Sequence, residues 1–133
     1  MKRLHVHFTV ADLDRAIVFY SGLFGQPPKV RHDDYAKWMV DDPCVNFAVS
    51  TGARQNGFDH LGIQVEDEDE LEEIEARLRQ VDATVEEQRG AQCCYAVGDK
   101  SWTVDPDGTP WETFLTRGEI EEYGPDLRPR VNR

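Results

Sequence analysis

Residues 4–10, LHVHFTV, and residues 59–65, DHLGIQV, carry the clearest fold signal in the chain. In the first stretch Leu4, Val6, Phe8 and Val10 fall on one face and His5, His7 and Thr9 on the other, which is the period-two alternation of a strand. The second restarts the pattern with His60, Leu61, Gly62, Ile63, Gln64 and Val65. His5-Val6-(x)3-Val10 aligns on His60-Leu61-(x)3-Val65, from position 5 to position 60, an offset of 55 residues. The segments downstream of the two strands repeat as well. After the first, Asp12 reads as an N-cap, Leu13, Ala16, Ile17, Tyr20, Leu23 and Phe24 recur at helical spacing, and Gly25 supplies the stop. Pro27 and Pro28 bar continuation of the helix, and strands are predicted over 29–31, 35–40 and 45–50.

After the second strand, Leu71, Ile74, Leu78 and Val81 mark a helix. It is acidic at its start and carries Arg77 and Arg79 near its end, as the helix dipole favours. Strand candidates then cover 84–87, 95–97, 102–104 and 111–116, with Asp105-Pro106-Asp107-Gly108 as a hairpin turn. The order strand, helix, three strands therefore occurs twice, which predicts an α+β fold of two βαβββ modules. Module one takes residues 1–50, a polar linker 51–57 and module two 58–117, forming one domain over 1–117; residues 118–133, with two prolines and little periodicity, read as a tail.

Composition narrows the function. The 133 residues carry 26 acidic against 15 basic side chains, a formal net charge of −11, so the surface field repels phosphate backbones and anionic lipids. Nucleic acid is thus not expected as a partner. No stretch approaches the roughly 20 apolar residues of a membrane span, and the N-terminus shows no signal-peptide pattern. Part of the acidic excess lies in the run from Glu66 to Glu73, which reads as a solvated helix start. Cys44, Cys93 and Cys94 are an odd number without a secretion signal, so reduced thiols in a cytoplasm are expected rather than a disulfide framework.

Equivalent positions in two repeats are expected to be related by an approximate twofold axis, bringing His5 and His60 together. A third donor is then sought on a late strand, and Glu112, just after the DPDG turn, faces away from Trp111 and Thr113 and shares a face with Phe114 only if that strand is regular. Two imidazoles and one carboxylate on one side of an ion leave positions open for substrate or dioxygen, the arrangement of non-haem Fe(II) oxygenases. A single strand histidine is more often an ordinary hydrogen-bonded residue; the matched places in two repeats favour His5 and His60 over that reading. His7 shares a face with His5 and competes as a ligand, but its counterpart in module two is Gly62, which favours an orienting or pocket role. His32, in a turn, is expected at the surface.

The stretches HVHFTVADLDRAIVFYSGLFG, DHLGIQVEDEDELEE and DPDGTPWETF resemble the signature blocks of the vicinal oxygen chelate superfamily, which includes glyoxalase I, fosfomycin-resistance proteins and extradiol dioxygenases. The resemblance implies the paired-module fold and a divalent metal held by His5, His60 and Glu112. Glyoxalase I uses a further glutamate in the last strand of its first module. Here that strand reads Val45-Asn46-Phe47-Ala48-Val49 and has no acid, which argues against glyoxalase activity.

The adjacent Cys93 and Cys94 are the sharpest clue to substrate. On a regular strand they would point to opposite faces, so joint binding of one ligand requires an irregular backbone, which Gly90 just upstream would permit. Two thiolates so placed suit a thiophilic centre such as trivalent arsenic. The alternative is a packed core cysteine with an incidental neighbour. The block CCYAVGDKSWTVDPDGTPWE, together with DYAKW and DDPCVNF, closely resembles the carbon–arsenic lyases and cadmium-induced proteins of the superfamily. That resemblance implies an Fe(II)- and dioxygen-dependent cleavage of trivalent organoarsenicals such as methylarsenite, with Cys93 and Cys94 holding the arsenic. Cys44 reads as a structural or surface thiol, and no acid or base is assigned to the cleavage.

Two other readings compete. A thiol transferase acting on a fosfomycin-type phosphonate needs a cationic pocket, which the charge of −11 opposes. A protein that sequesters cadmium, arsenite or a drug would use the same cysteines without turnover. A homodimer is expected, since modules this small leave a sheet face poorly covered, and the linker would permit His5 to come from one chain and His60 with Glu112 from the other.

Overall fold

The alternation read over residues 4–10 forms β1 (Arg3–Thr9) in the computed structural model, which describes residues 1–52, 55–119 and 124. α1 (Leu13–Phe24) comes next, with the Asp12 carboxylate accepting from the Arg15 amide at 3.1 Å and Gly25 left-handed at φ 71°. β2 (Val30–His32), β3 (Tyr35–Asp41) and β4 (Cys44–Ser50) complete the first module. Its strands lie in the order β2-β3-β4-β1, with β1 parallel to β4 and the hairpins antiparallel.

α1 covers one face of these strands, and the core there is aromatic. Tyr20, Phe24 and Trp38 surround Phe47, with ring centroids 4.5, 5.1 and 6.0 Å from it. Trp38 is fully buried, and its indole N–H donates to the Gln26 carbonyl at 3.2 Å. The opposite face of β1 and β4 is buried too, yet polar. The register places His5 opposite Asn46, His7 opposite Ala48 and Thr9 opposite Ser50, and all six are buried. A hydrophilic buried face of this kind costs stability unless its groups are satisfied, so it marks a place built for something other than packing.

The remaining elements are β5 (Gly57–Gln64), α2 (Glu68–Gln80), β6 (Glu86–Cys93), β7 (Ala96–Val104) and β8 (Pro110–Glu119). By its contacts the chain divides into two compact units, Arg3–His60 and the stretch from Leu61 onward with Met1 and Lys2, so β5 begins in one and ends in the other. In the second unit β5 runs parallel to β8, and β8, β7 and β6 are antiparallel neighbours. The acidic run is a helix start, as expected: Asp67 caps α2 through the Glu70 amide at 2.9 Å. Leu71 and Ile74 pack with Val65 and Leu115. Glu75, on the same buried side, accepts from Ser101 Oγ at 2.5 Å and pairs with Arg89 at 3.0 Å. Burial alone would raise its carboxyl pKa, but those bonds outweigh it and hold the group below the usual value.

The strand candidates of the second module need correction. The four later candidates are three strands: 95–97 and 102–104 belong to one continuous β7, and β6 starts two residues later and runs six further than the predicted 84–87. Most of the predicted tail lies outside the described residues; of it, β8 takes the first two positions, and Gly124 is described.

Gly62 illustrates how a strand position can forbid a side chain. A Cβ there would lie 2.3 Å from the Glu112 carbonyl oxygen, a backbone atom that cannot turn away. This close approach explains why the repeat carries His7 in β1 and glycine at the matching place in β5. Gly62→Ala is expected to destabilise the fold by about 1–3 kcal/mol, read from the midpoint of denaturant unfolding.

Candidate metal and thiol sites

His5 and His60 meet within the unit Arg3–His60. Their Nε2 atoms are 3.2 Å apart, and both residues are buried. One chain suffices for this pairing, so His5 need not come from a partner chain to reach His60. The hydrogen bonds behind the rings decide what that distance means. His5 Nδ1 lies 3.1 Å from the Asn46 backbone carbonyl, which only accepts. His60 Nδ1 lies 2.6 Å from the Asp59 carboxylate. A single proton on each ring, held at Nδ1 by these acceptors, would leave an Nε2 lone pair on each ring directed at the other. At 3.2 Å the two Nε2 atoms either share a proton as a hydrogen bond or flank a bound cation. Nitrogen donors about 2.1 Å from one ion stand roughly 3.0–3.4 Å apart when adjacent, so the pair fits a shared metal. The backing carboxylate and carbonyl are the partners that usually orient metal-bound histidines.

His7 joins them. One ligand atom from each of His5, His7 and His60 lies within 4.8 Å of the others, and the three side chains could hold a metal ion. His7 Nε2 bonds Ser50 Oγ at 2.8 Å. Neither Asn46, Asp59 nor Ser50 is singled out by the sequence, although Asp59 directly precedes the repeated histidine. His32 ends β2 and is half-buried, rather than lying in a surface turn.

Glu112 lies in the other unit, on a stretch of β8 that is regular: it pairs with Gly62 of β5 and Trp102 of β7, and Phe114 pairs with Lys100. Its carboxylate is buried and sits 3.3 Å from Lys100 Nζ. Lys100 is a functional candidate that sequence reading missed, because a lysine inside GDKSW reads as a solvated strand or turn residue. Burial by itself draws its pKa down. The charges of Glu112, Cys93 and Cys94 more than offset this and leave it raised, so the ammonium stays charged at neutral pH.

The same lysine links the carboxylate electrostatically to the two thiols. Cys93 ends β6, Cys94 and Tyr95 form the two-residue turn, and Ala96 opens β7 opposite Cys93. Both turn residues have positive φ, 55° at Cys94 and 62° at Tyr95. A two-residue hairpin of the I′ type demands this, and it normally selects asparagine and glycine. Holding two ordinary side chains there costs roughly 1–2 kcal/mol each. The result is a pair of thiols with Sγ atoms 3.1 Å apart. The irregular backbone expected near Gly90 is thus at the turn itself; Gly90, at φ 64°, serves a separate bulge whose amide donates to Asp99 at 2.9 Å. Cys44 is half-buried at the start of β4 and is not part of a disulfide among the described residues.

Comparison with known proteins agrees with this architecture. Residues 2–113 match the family model described as Glyoxalase/Bleomycin resistance protein/Dioxygenase superfamily. A "Trivalent organoarsenical cleaving enzyme" of Bacillus sp. (strain MD1) is 39% identical over 125 residues, covering 92% of this chain and 78% of the relative. The "Cadmium-induced protein CadI" of Mycobacterium tuberculosis (strain H37Rv) is 32% identical, covering 93% and 82%. Among solved structures, the Mn(II)-bound glyoxalase from Novosphingobium aromaticivorans superposes with a TM-score of 0.63 at 18% identity, covering 96% of this chain and 43% of that one. An extradiol ring-cleaving dioxygenase from B. fuscum gives 0.65 at 17%, covering 90% and 34%. The duplicated βαβββ order, the imidazoles at matched repeat positions and the match over residues 2–113 converge: the chain belongs to the Glyoxalase/Bleomycin resistance protein/Dioxygenase superfamily.

Proposed function

We propose that this protein is an Fe(II)-dependent, dioxygen-using lyase that cleaves the carbon–arsenic bond of trivalent organoarsenicals such as methylarsenite. The observation that carries the reading is the thiol pair, fixed at 3.1 Å by a strained turn, in a chain 39% identical to an organoarsenical cleaving enzyme. Cys93 and Cys94 exchange two As–OH bonds for two As–S bonds, releasing two waters and presenting the arsenic with its carbon substituent. Lys100, whose ammonium is stabilised in part by the charges of Cys93 and Cys94, ties the thiol pair electrostatically to Glu112. His5, His60 and Glu112 are the proposed ligands, with Asp59 and Asn46 orienting the imidazoles. When bound, a redox-active divalent ion supplies activation of dioxygen.

A second reading, sequestration of cadmium or a metalloid by the same thiols without turnover, is favoured by the relatives named cadmium-induced protein. Metal identity separates the two. Protein loaded with Fe(II) is expected to release inorganic arsenite from methylarsenite, whereas Zn(II), which has no redox chemistry, is expected to support none. Equal release with both metals contradicts the oxidative reading, and tight arsenical binding with no release under Fe(II) selects sequestration. We further propose a cytoplasmic homodimer. The water-exposed Val18, Phe19 and Leu23 of α1 support pairing, and no helix among the described residues is long and apolar enough to cross a membrane.

A further inference from the structure

We infer that His7 is a direct metal ligand, so that three imidazoles within Arg3–His60 retain the ion even when Glu112 is removed. The inference rests on the proposal that a divalent ion sits at His5 and His60. On the sequence reading His7 only orients its neighbours or lines a pocket. The geometry gives it a place equal to that of His5. The His60 ring centroid lies 5.1 Å from His5 and 5.0 Å from His7, and all three residues are less than a tenth exposed. His5 and His7 are two apart on β1 and therefore project from the same face.

Donors bound at about 2.1 Å are at most roughly 4.2 Å apart across one ion, so a set already within 4.8 Å closes with side-chain shifts of under about 1 Å. The Ser50 hydroxyl, which donates or accepts, serves His7 in either tautomer. Glu112, by contrast, already has a buried cation beside it in Lys100, so its charge is balanced without a metal. Three nitrogens from one unit are a sufficient set for a divalent first-row ion, as three-histidine zinc sites show. Retention of the ion then does not depend on Glu112.

The test uses wild-type protein labelled with nitrogen-15 in histidine and saturated with cadmium-113. Cadmium held by the thiols gives no coupling to imidazole nitrogen, so both cysteines remain in place. One-bond cadmium–nitrogen coupling is expected on three of the four histidines, His5, His7 and His60, and not on His32. Zinc affinity, measured by competition with a chromophoric chelator, is expected to fall at least tenfold in His7→Gln. That is the lower bound of the roughly 10–100-fold that loss of even an orienting partner costs. It is expected to fall less than tenfold in Glu112→Gln. Coupling confined to His5 and His60 in the wild-type protein overturns the inference without recourse to any variant, as does loss of zinc in Glu112→Gln with affinity unchanged in His7→Gln. If the wild-type protein binds neither zinc nor cadmium through any histidine, the metal-dependent reading of the function fails along with this one.

Discussion

Cys93→Ser and Cys94→Ser, each loaded with Fe(II), are expected to release no inorganic arsenite from methylarsenite while keeping their full metal content. Effective concentration is the reason. Once the first sulfur has bound arsenic, the second is already 3.1 Å from its neighbour, so ring closure is intramolecular. Linked binding events of this kind gain about 100-fold or more over a single one. Removing either thiol forfeits that gain. A serine oxygen does not replace it, because arsenic in this state prefers sulfur. Metal content is unaffected because neither sulfur is proposed as a ligand. Arsenic speciation and elemental analysis of the same samples check both halves. Full activity in both serine variants removes the thiols from the mechanism, and loss of metal in either would mean that the sulfurs belong to the metal site.

The second large effect is expected at His60. His60→Ala removes one of the two facing Nε2 atoms and is expected to lower affinity for a divalent ion by more than about 100-fold, exceeding the upper end of what orienting partners contribute. Asp59→Asn leaves the ligand in place but weakens the 2.6 Å bond that fixes its tautomer. It is expected to cost about 10–100-fold. The ordering matters more than either value: His60→Ala below Asp59→Asn below wild type, in equilibrium dialysis. Full occupancy in His60→Ala would remove His60 from the ligand set.

Most of the first module was legible because its sequence obeys simple periodicities. β1 alternates, α1 carries a capping aspartate and a terminating glycine, and the core strands are apolar. The second module was harder for physical reasons that can be named. β6 is an edge strand reading EEQRGAQC, largely exposed, so no apolar alternation betrays it. β7 buries Asp99, Lys100 and Ser101 together, so its middle looks like a loop in sequence while being among the least exposed parts of the protein. Those buried polar groups are satisfied by residues distant in the chain: Asp99 by Arg117, Lys100 by Glu112 and Ser101 by Glu75. Partners of that kind carry no local signature.

The site shows the same division. His5 and His60 were visible because duplication repeats a chemical group, which hydrophobic patterning alone does not require. His7 was set apart from His5 because its repeat counterpart is Gly62, and the close approach of the β8 backbone explains that asymmetry. The cysteine pair was visible as two letters, but what holds the two sulfurs 3.1 Å apart is invisible in sequence. Cys94 and Tyr95 are not residues that a type I′ turn selects, and their positive φ angles are imposed by the hairpin they close. Backbone strain at the proposed substrate-binding residues is consistent with stability yielding to function at this turn.

A single turnover run without and then with dioxygen is the sharpest test of the proposed chemistry. Protein loaded anaerobically with one equivalent of Fe(II) and mixed with methylarsenite is expected to hold the arsenic as the methylated species, with no inorganic arsenite formed. Admission of dioxygen is then expected to convert it to inorganic arsenite, up to one per active chain. Arsenite formed at the same rate before dioxygen enters would contradict the account, and so would methylarsenite that stays bound and unconverted after it.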